Sequence, residues 1–271
     1  MKNKFSTRFI RSGAVFHGAR GSARKAAGAS RAFTLIELLI VIATIGILAA
    51  LLMPVFAMVG THAVIQRAQS ERDQIETAID RYYSKYGFYP PGNALPSPNI
   101  PPTPNFLAAL TNQLYYELVG TTNIGTAATP NFLTLDNRIT NTPTLAGQVF
   151  GVSGFMNCSR TAGGEDAVSA QSFLTGIKSG QLANVPVVGG TISILCTAAN
   201  SDPSYQPIFP GTTPSTPVYT VAGRPANPWR YLYPGVNNPK SYDLWIQIFV
   251  GGKTNLICNW KTTPQINSPL P

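Results

Sequence analysis

From Leu38 to Gly60 the chain runs for 23 residues without a charge. At about 1.5 Å per residue a helix of that length crosses a hydrocarbon core of about 30 Å. The run is apolar on every face, which a core helix in a chain of 271 residues would not need to be. An ordinary secretory signal is the closer rival. Eight basic residues precede the run (Lys2, Lys4, Arg8, Arg11, Arg20, Arg24, Lys25, Arg31) and no acid does, which predicts a cytoplasmic N-terminus. The overall charge of +9 therefore misleads about partners. Beyond residue 32 the chain has 12 basic and 11 acidic residues, so no nucleic-acid partner is expected.

One acid interrupts the apolar segment. Glu37 would cost roughly 2.5–3.5 kcal/mol at bilayer depth on insertion scales, so it needs a partner or a purpose. Its setting is Arg31-Ala32-Phe33-Thr34-Leu35-Ile36-Glu37-Leu38-Leu39-Ile40-Val41-Ile42. This segment resembles the processing motif of type IV prepilins and of the pseudopilins of type II secretion. The resemblance implies cleavage between Ala32 and Phe33 by a prepilin peptidase and methylation of the new amine on Phe33. It implies an assembly role for Glu37, pairing with the N-terminal amine of a neighbouring subunit. Ala32 departs from the glycine usual before the cut, and the 32-residue leader is longer than most.

Past the apolar run, Ile65, Ala68, Ile75, Ile79, Tyr82 and Tyr86 recur at helical spacing, with Arg67, Glu71, Asp73, Glu76 and Asp80 expected on solvated faces. The pattern predicts one helix from Phe33 to about Tyr86, about 80 Å long. Pro54 should kink or loosen it, and Gly87-Phe88-Tyr89-Pro90-Pro91-Gly92 should end it. A short helix is predicted over 105–119, capped by Asn105, with Phe106, Leu107, Leu110, Leu114 and Leu118 on one face. Residues 120–184 carry no readable pattern. Two hairpins follow, one turning at Gly189-Gly190 and one at Gly251-Gly252. The predicted fold class is α+β: a long N-terminal helix, half transmembrane and half amphipathic, packed on a small antiparallel sheet domain, pilin-like. The domain reading is a basic leader (1–32), a membrane and assembly helix (33–60), its amphipathic continuation (61–89) and an exported domain with Pro-rich loops (90–271).

A second resemblance lies at Asn227-Pro228-Trp229, Tyr231-Leu232-Tyr233-Pro234-Gly235 and Ser241-Tyr242-Asp243-Leu244-Trp245. This series is similar to the end of the major pseudopilin of type II secretion, where it enters a calcium loop. Ile246 to Gly252 replace the acids of that loop, and Asp243 alone is too few ligands for calcium, so no metal and no cofactor is expected.

His17 and His62 are the only histidines, which removes Ser-His-Asp triads and histidine metal sites from the rest of the chain. Glu165 and Asp166 are adjacent, a poor arrangement for acid–base work, and no enzyme is expected. Cys158, Cys196 and Cys258 lie far apart. Cys196 and Cys258, at the ends of predicted strands, are the candidate disulfide; three buried free thiols are the alternative. The resemblance implies an inner-membrane protein of bacteria, single-pass, with an extracytoplasmic domain. It also implies partners: the prepilin peptidase, membrane lipid, an assembly platform, and copies of itself and of other pseudopilins in a fibre. The alternative is a membrane-anchored binding module for adhesion or DNA uptake, using aromatic residues such as Trp229, Tyr231 and Tyr233.

Overall fold

A computed structural model describes residues 33–93, 111–126, 128–159, 169–187, 189–200, 220–221 and 224–268, with only the backbone described at 53–58, 220–221 and 224–225. The leader with Ala32, residues 105–110 of the predicted short helix, Glu165-Asp166 and the Pro-rich segment 203–217 lie outside the described residues. The chain divides into two compact units, Met1–Ala50 and Leu51–Pro271. Its fold class is α+β.

The first helix, α1, is Leu35–Tyr86, 52 residues that continue through Gly46 and Pro54 without interruption. It ends as the sequence predicts. The Gly87 amide donates to the Tyr83 carbonyl at 2.7 Å, and Gly87 takes a φ of +78°, where a side chain would be strained. Ala68, Ile75, Ala78, Ile79 and Tyr82 are buried, and Ile65 and Tyr86 pack partly buried against the same core. Glu71 corrects the predicted polar face, for it is buried too. Its position, three after Ala68 and four before Ile75, places it on the apolar stripe rather than beside it. Arg67 Nε meets its Oε1 at 3.1 Å.

The short helix α2 is Leu114–Val119, all six residues buried. Of the described part of the predicted span, Leu114–Val119 is helical and Thr111, Asn112 and Gln113 are not. The side-chain oxygen of Asn112 instead accepts from the Leu114 amide at 3.2 Å. The unreadable stretch that follows is a small sheet and a helix. Strands β1 (Thr121–Asn123), β2 (Phe132–Thr134), β3 (Thr140–Asn141) and β4 (Cys158–Ser159) form a sheet ordered β3-β2-β1-β4. Helix α3 (Pro143–Phe150) is capped by Thr142, whose hydroxyl accepts from the Leu145 amide, and is closed by Gly151 at φ +70°.

Strands β5 (Leu182–Val187) and β6 (Gly190–Thr197) pair antiparallel. The turn differs from the prediction in that Gly190 is not a turn residue: it pairs with Val187 as the first residue of β6. Strands β7 (Thr220–Val221) and β8 (Arg224–Pro225) pair with each other, and β6 also pairs with β9 (Asn227–Pro228). A second four-stranded sheet orders β10 (Arg230–Leu232), β11 (Asp243–Val250), β12 (Lys253–Cys258) and β13 (Gln265–Ile266). Its central hairpin pairs Val250 with Lys253. Gly251 and Gly252 then occupy the loop at φ +61° and +74°, the two positive values a type I′ turn requires. Along β11, Leu244, Ile246 and Ile248 enter the main core, while Trp245 joins a separate cluster with Leu256 and Cys258. The alternation is that of a strand buried on both faces.

The main core is thus built where α1 from Ala68 to Tyr82 meets α2, α3 and the inner faces of β6 and β11. Ile79 sits at its centre with no exposed surface. Replacing Ile79 with Ala should cost about 2–5 kcal/mol, read as a fall in the unfolding midpoint of the detergent-solubilised chain.

Candidate functional site

The candidate assembly site lies at the start of α1. Leu35–Leu52 is an 18-residue window of mean hydropathy 2.8, long and apolar enough to cross a membrane, and none of it is buried within the chain. Leu35 is 81% exposed and Phe33, just before the helix, 84%. A helix that keeps so many large aliphatic side chains uncovered is suited to lipid or to other helices rather than to water.

Glu37 closes the N-terminus of this helix. Its Oε2 accepts from the Thr34 amide and from the Thr34 hydroxyl, each at 2.9 Å, and its own amide donates back to Thr34 Oγ1 at 3.2 Å. This is a capping box with Thr34 at N-cap and Glu37 at N3. The Leu38 amide completes the first turn on the Thr34 carbonyl at 3.2 Å. The sequence carried the signal as Thr-x-x-Glu before an apolar run, and reading Glu37 only as a charge in lipid missed it. The box satisfies orphan amides that water would otherwise have to reach. All its contacts use Oε2, and no hydrogen bond reaches Oε1 among the described residues.

Two other carboxylates are structural. Glu117 of α2 has no exposed surface. Its Oε1 accepts from the Met156 amide at 2.9 Å, and its Oε2 from the Asn157 amide at 3.0 Å and the Tyr82 hydroxyl at 3.1 Å. Asn157 returns a side-chain donor to the Glu117 carbonyl at 2.7 Å and accepts from the Tyr86 hydroxyl at 2.8 Å. The group thus ties the end of α1, helix α2 and the entry to β4 to one point. Burial pushes the Glu117 carboxyl above the usual carboxylate range, and the two amides and the Tyr82 hydroxyl pull it partly back.

Asp243, which the sequence reading weighed as a lone calcium ligand, is buried and already engaged. Its Oδ2 accepts from the amides of Val236 and Asn237 at 2.8 and 2.7 Å and from the Asn237 side chain at 3.1 Å, and its Oδ1 from the Asn238 amide at 3.0 Å. Four donors on one carboxylate hold the Tyr233–Ser241 loop closed and leave that carboxylate turned toward protein N–H groups rather than toward a cation. Among the described residues no three His, Cys, Asp or Glu side chains gather as a metal site.

The cysteines are not joined. Cys158, Cys196 and Cys258 are buried and free, so the pair Cys196–Cys258 drawn from strand ends does not form in this structure. Cys196 belongs to the main core and Cys258 to the separate cluster around Trp245, which is why strand-end positions did not bring them together. Burial pushes both thiols up. The aromatic residues considered for a binding surface are also placed. Trp229 and Tyr231 are buried, and the Tyr231 hydroxyl donates to the Pro90 carbonyl at 2.6 Å; only Tyr233 of the three is partly exposed.

No family model, no curated protein and no solved structure matches this chain.

Two outcomes follow from these groups. Because the folded Glu117 carboxyl binds its proton more tightly than the unfolded one, its contribution to stability is full below the ordinary Glu value and is lost as pH rises through the folded value. The melting temperature of the parent should therefore fall relative to Glu117→Gln as pH is raised from about 4; a relative rise would contradict the assignment. Thiol counting should find three free thiols after denaturation, with slow alkylation of Cys196 and Cys258 in the native chain, because those buried thiols with raised pKa offer little thiolate. Fewer than three would show a bridge.

Proposed function

We propose that this chain is a structural subunit of a type II secretion pseudopilus or a related type IV pilus-like fibre, made as a precursor and assembled through α1. The observation that carries the proposal is the start of α1. A membrane-length segment with none of its window buried opens on a single carboxylate, four residues after Phe33. In the membrane, lipid covers the aliphatic side chains; in a fibre, the same helices of neighbouring subunits cover them. Cleavage before Phe33 leaves the Thr34–Glu37 box intact, because both partners lie after the cut. The new amine of Phe33 then stands one residue ahead of the N-cap. Glu37 Oε1, outside the box, is the oxygen left to meet the amine of a neighbouring subunit.

On this reading the basic leader stays in the cytoplasm, the helix crosses the bacterial inner membrane once, and the domain after it is extracytoplasmic. The partners are the prepilin peptidase, the assembly platform, membrane lipid and other subunits of the fibre. Within a low-dielectric fibre core an unpaired carboxylate and an unpaired amine would each be costly, so the pair is favoured over either alone.

The box and the salt bridge make different demands on residue 37, which allows them to be separated. Gln at N3 keeps a capping box but carries no charge. Glu37→Gln should therefore retain membrane insertion and cleavage, yet lose incorporation into sheared fibres. Glu37→Leu should lose both cap and charge and also fail to assemble. If Glu37→Gln assembles like the parent, capping is the whole role of the residue and the charge pairing is wrong.

A further inference from the structure

Opposite its buried stripe, the second half of α1 carries a polar one. Ser70, Asp73, Gln74, Thr77 and Arg81 share a face of the helix and are all exposed. Across from them runs the segment 173–177, whose start is fixed: the Phe173 and Leu174 amides both donate to the Leu118 carbonyl, at 2.8 and 3.1 Å. Between the two walls lies an open cleft of about 350 Å³. Its size is that of a small-molecule site. All of these residues belong to the unit Leu51–Pro271.

A smaller cavity of about 20 Å³ adjoins the cleft, since Gln74, Leu174 and Thr175 line both. It has room for one water-sized group. Ile75, Ile177 and Leu195 give it apolar walls, and Glu71 and Gln181 line it with polar ones. Glu71 is 4% exposed; Arg67 Nε takes its Oε1 at 3.1 Å, and its Oε2 has no hydrogen-bond partner among the described residues. A buried acceptor left without a donor is costly. Gln181 offers the complement. Its Oε1 accepts from the Lys178 amide at 2.9 Å, which leaves its side-chain NH2 as a donor.

What Glu71 lacks is a donor and not a counter-charge, because Arg67 already supplies the charge. Asp73 is likewise met by Arg72 Nη2 at 2.7 Å, and Arg81 stands on the same rim. A cationic ligand would face these three guanidinium groups, and an anionic one the two carboxylates. A neutral group the size of water that both donates and accepts fits instead, and a hydroxyl is such a group. The outer cleft extends the same chemistry with the hydroxyls of Ser70, Thr77 and Thr175, the amide of Gln74 and the carboxylate of Asp73. Both walls offer side chains, since helix α1 and the Phe173 and Leu174 amides have their backbone groups in use, so no ladder awaits a peptide strand. We infer that this cleft binds a neutral saccharide. The sugar ring lies in the outer cleft, and one of its hydroxyls enters the small cavity, donating to Glu71 Oε2 and accepting from the Gln181 amide. The inference uses only the unit Leu51–Pro271 and does not rest on the fibre reading.

The test titrates the isotope-labelled full chain, in phosphatidylcholine nanodiscs that contain no sugar, with glucose, galactose, mannose and N-acetylglucosamine. Butylammonium and acetate serve as charged comparisons of similar reach. At least one of the sugars should shift the amide signals of Gln74 and Thr175 saturably, and the two ions should shift them less. Glu71→Leu, which removes the buried acceptor, should weaken that binding about tenfold or more. Gln74→Ala changes an exposed helix position that the fold does not use, and should weaken it severalfold while every core signal stays in place. If none of the sugars moves Gln74 and Thr175, the site is wrong. Binding that is unchanged in Gln74→Ala places the sugar elsewhere and overturns the assignment. Shifts as strong with butylammonium or acetate make charge the determinant and overturn the choice of a neutral ligand.

Discussion

Everything in this chain depends on the change of surroundings along one helix. Over Leu35–Leu52 the side chains of α1 are aliphatic and uncovered; from Ala68 to Tyr82 the same helix buries a stripe in a domain core. The hydrophobic effect acts on both stretches, but only the second finds its cover within the chain. The first must take it from lipid or from other helices, so the subunit is incomplete in water. That requirement comes before any question of family, and it is the observation on which the proposed structural role rests.

The domain that receives the second stretch is held by apolar contact and by two buried carboxylates with both oxygens in use. Glu117 joins α1, α2 and the entry to β4, while Asp243 closes the loop ahead of β11. Such groups are costly to bury and costly to break, because a buried acceptor or donor that loses its partner suffers its full desolvation penalty. They serve as fixed points between elements too short to specify their own position, such as the two- and three-residue strands of the first sheet.

The elements legible in the sequence are those with long or unambiguous local signals. The end of α1 at Gly87 and the Gly251-Gly252 hairpin stand where glycine chemistry put them, and the stripe from Ala68 to Tyr82 follows from period alone. The sheet of 121–159 was not legible because strands of two or three residues give no alternation, although Thr142-Pro143 and Gly151 marked the ends of α3. The buried acids Glu71 and Glu117 were missed for a different reason. Charge argues for solvent; Glu71 is offset by Arg67 one turn earlier on the same helix, and Glu117 by the tertiary partners Tyr82 and Asn157. The cap on Glu37 was readable and was passed over, because its cost in lipid drew attention away from the Thr34 hydroxyl beside it. The pairing of Cys196 with Cys258 failed because strand-end positions say nothing about which cluster a side chain enters.

The central claim is that the mature chain starts at Phe33, two residues before α1, and that this helix lies in a membrane until assembly. Intact mass of the chain purified from membranes measures it most directly. The account predicts a mass that begins at Phe33 and carries one added methyl group, with the basic leader gone. A chain cut after Ala57, or one that retains its leader in full, would contradict it.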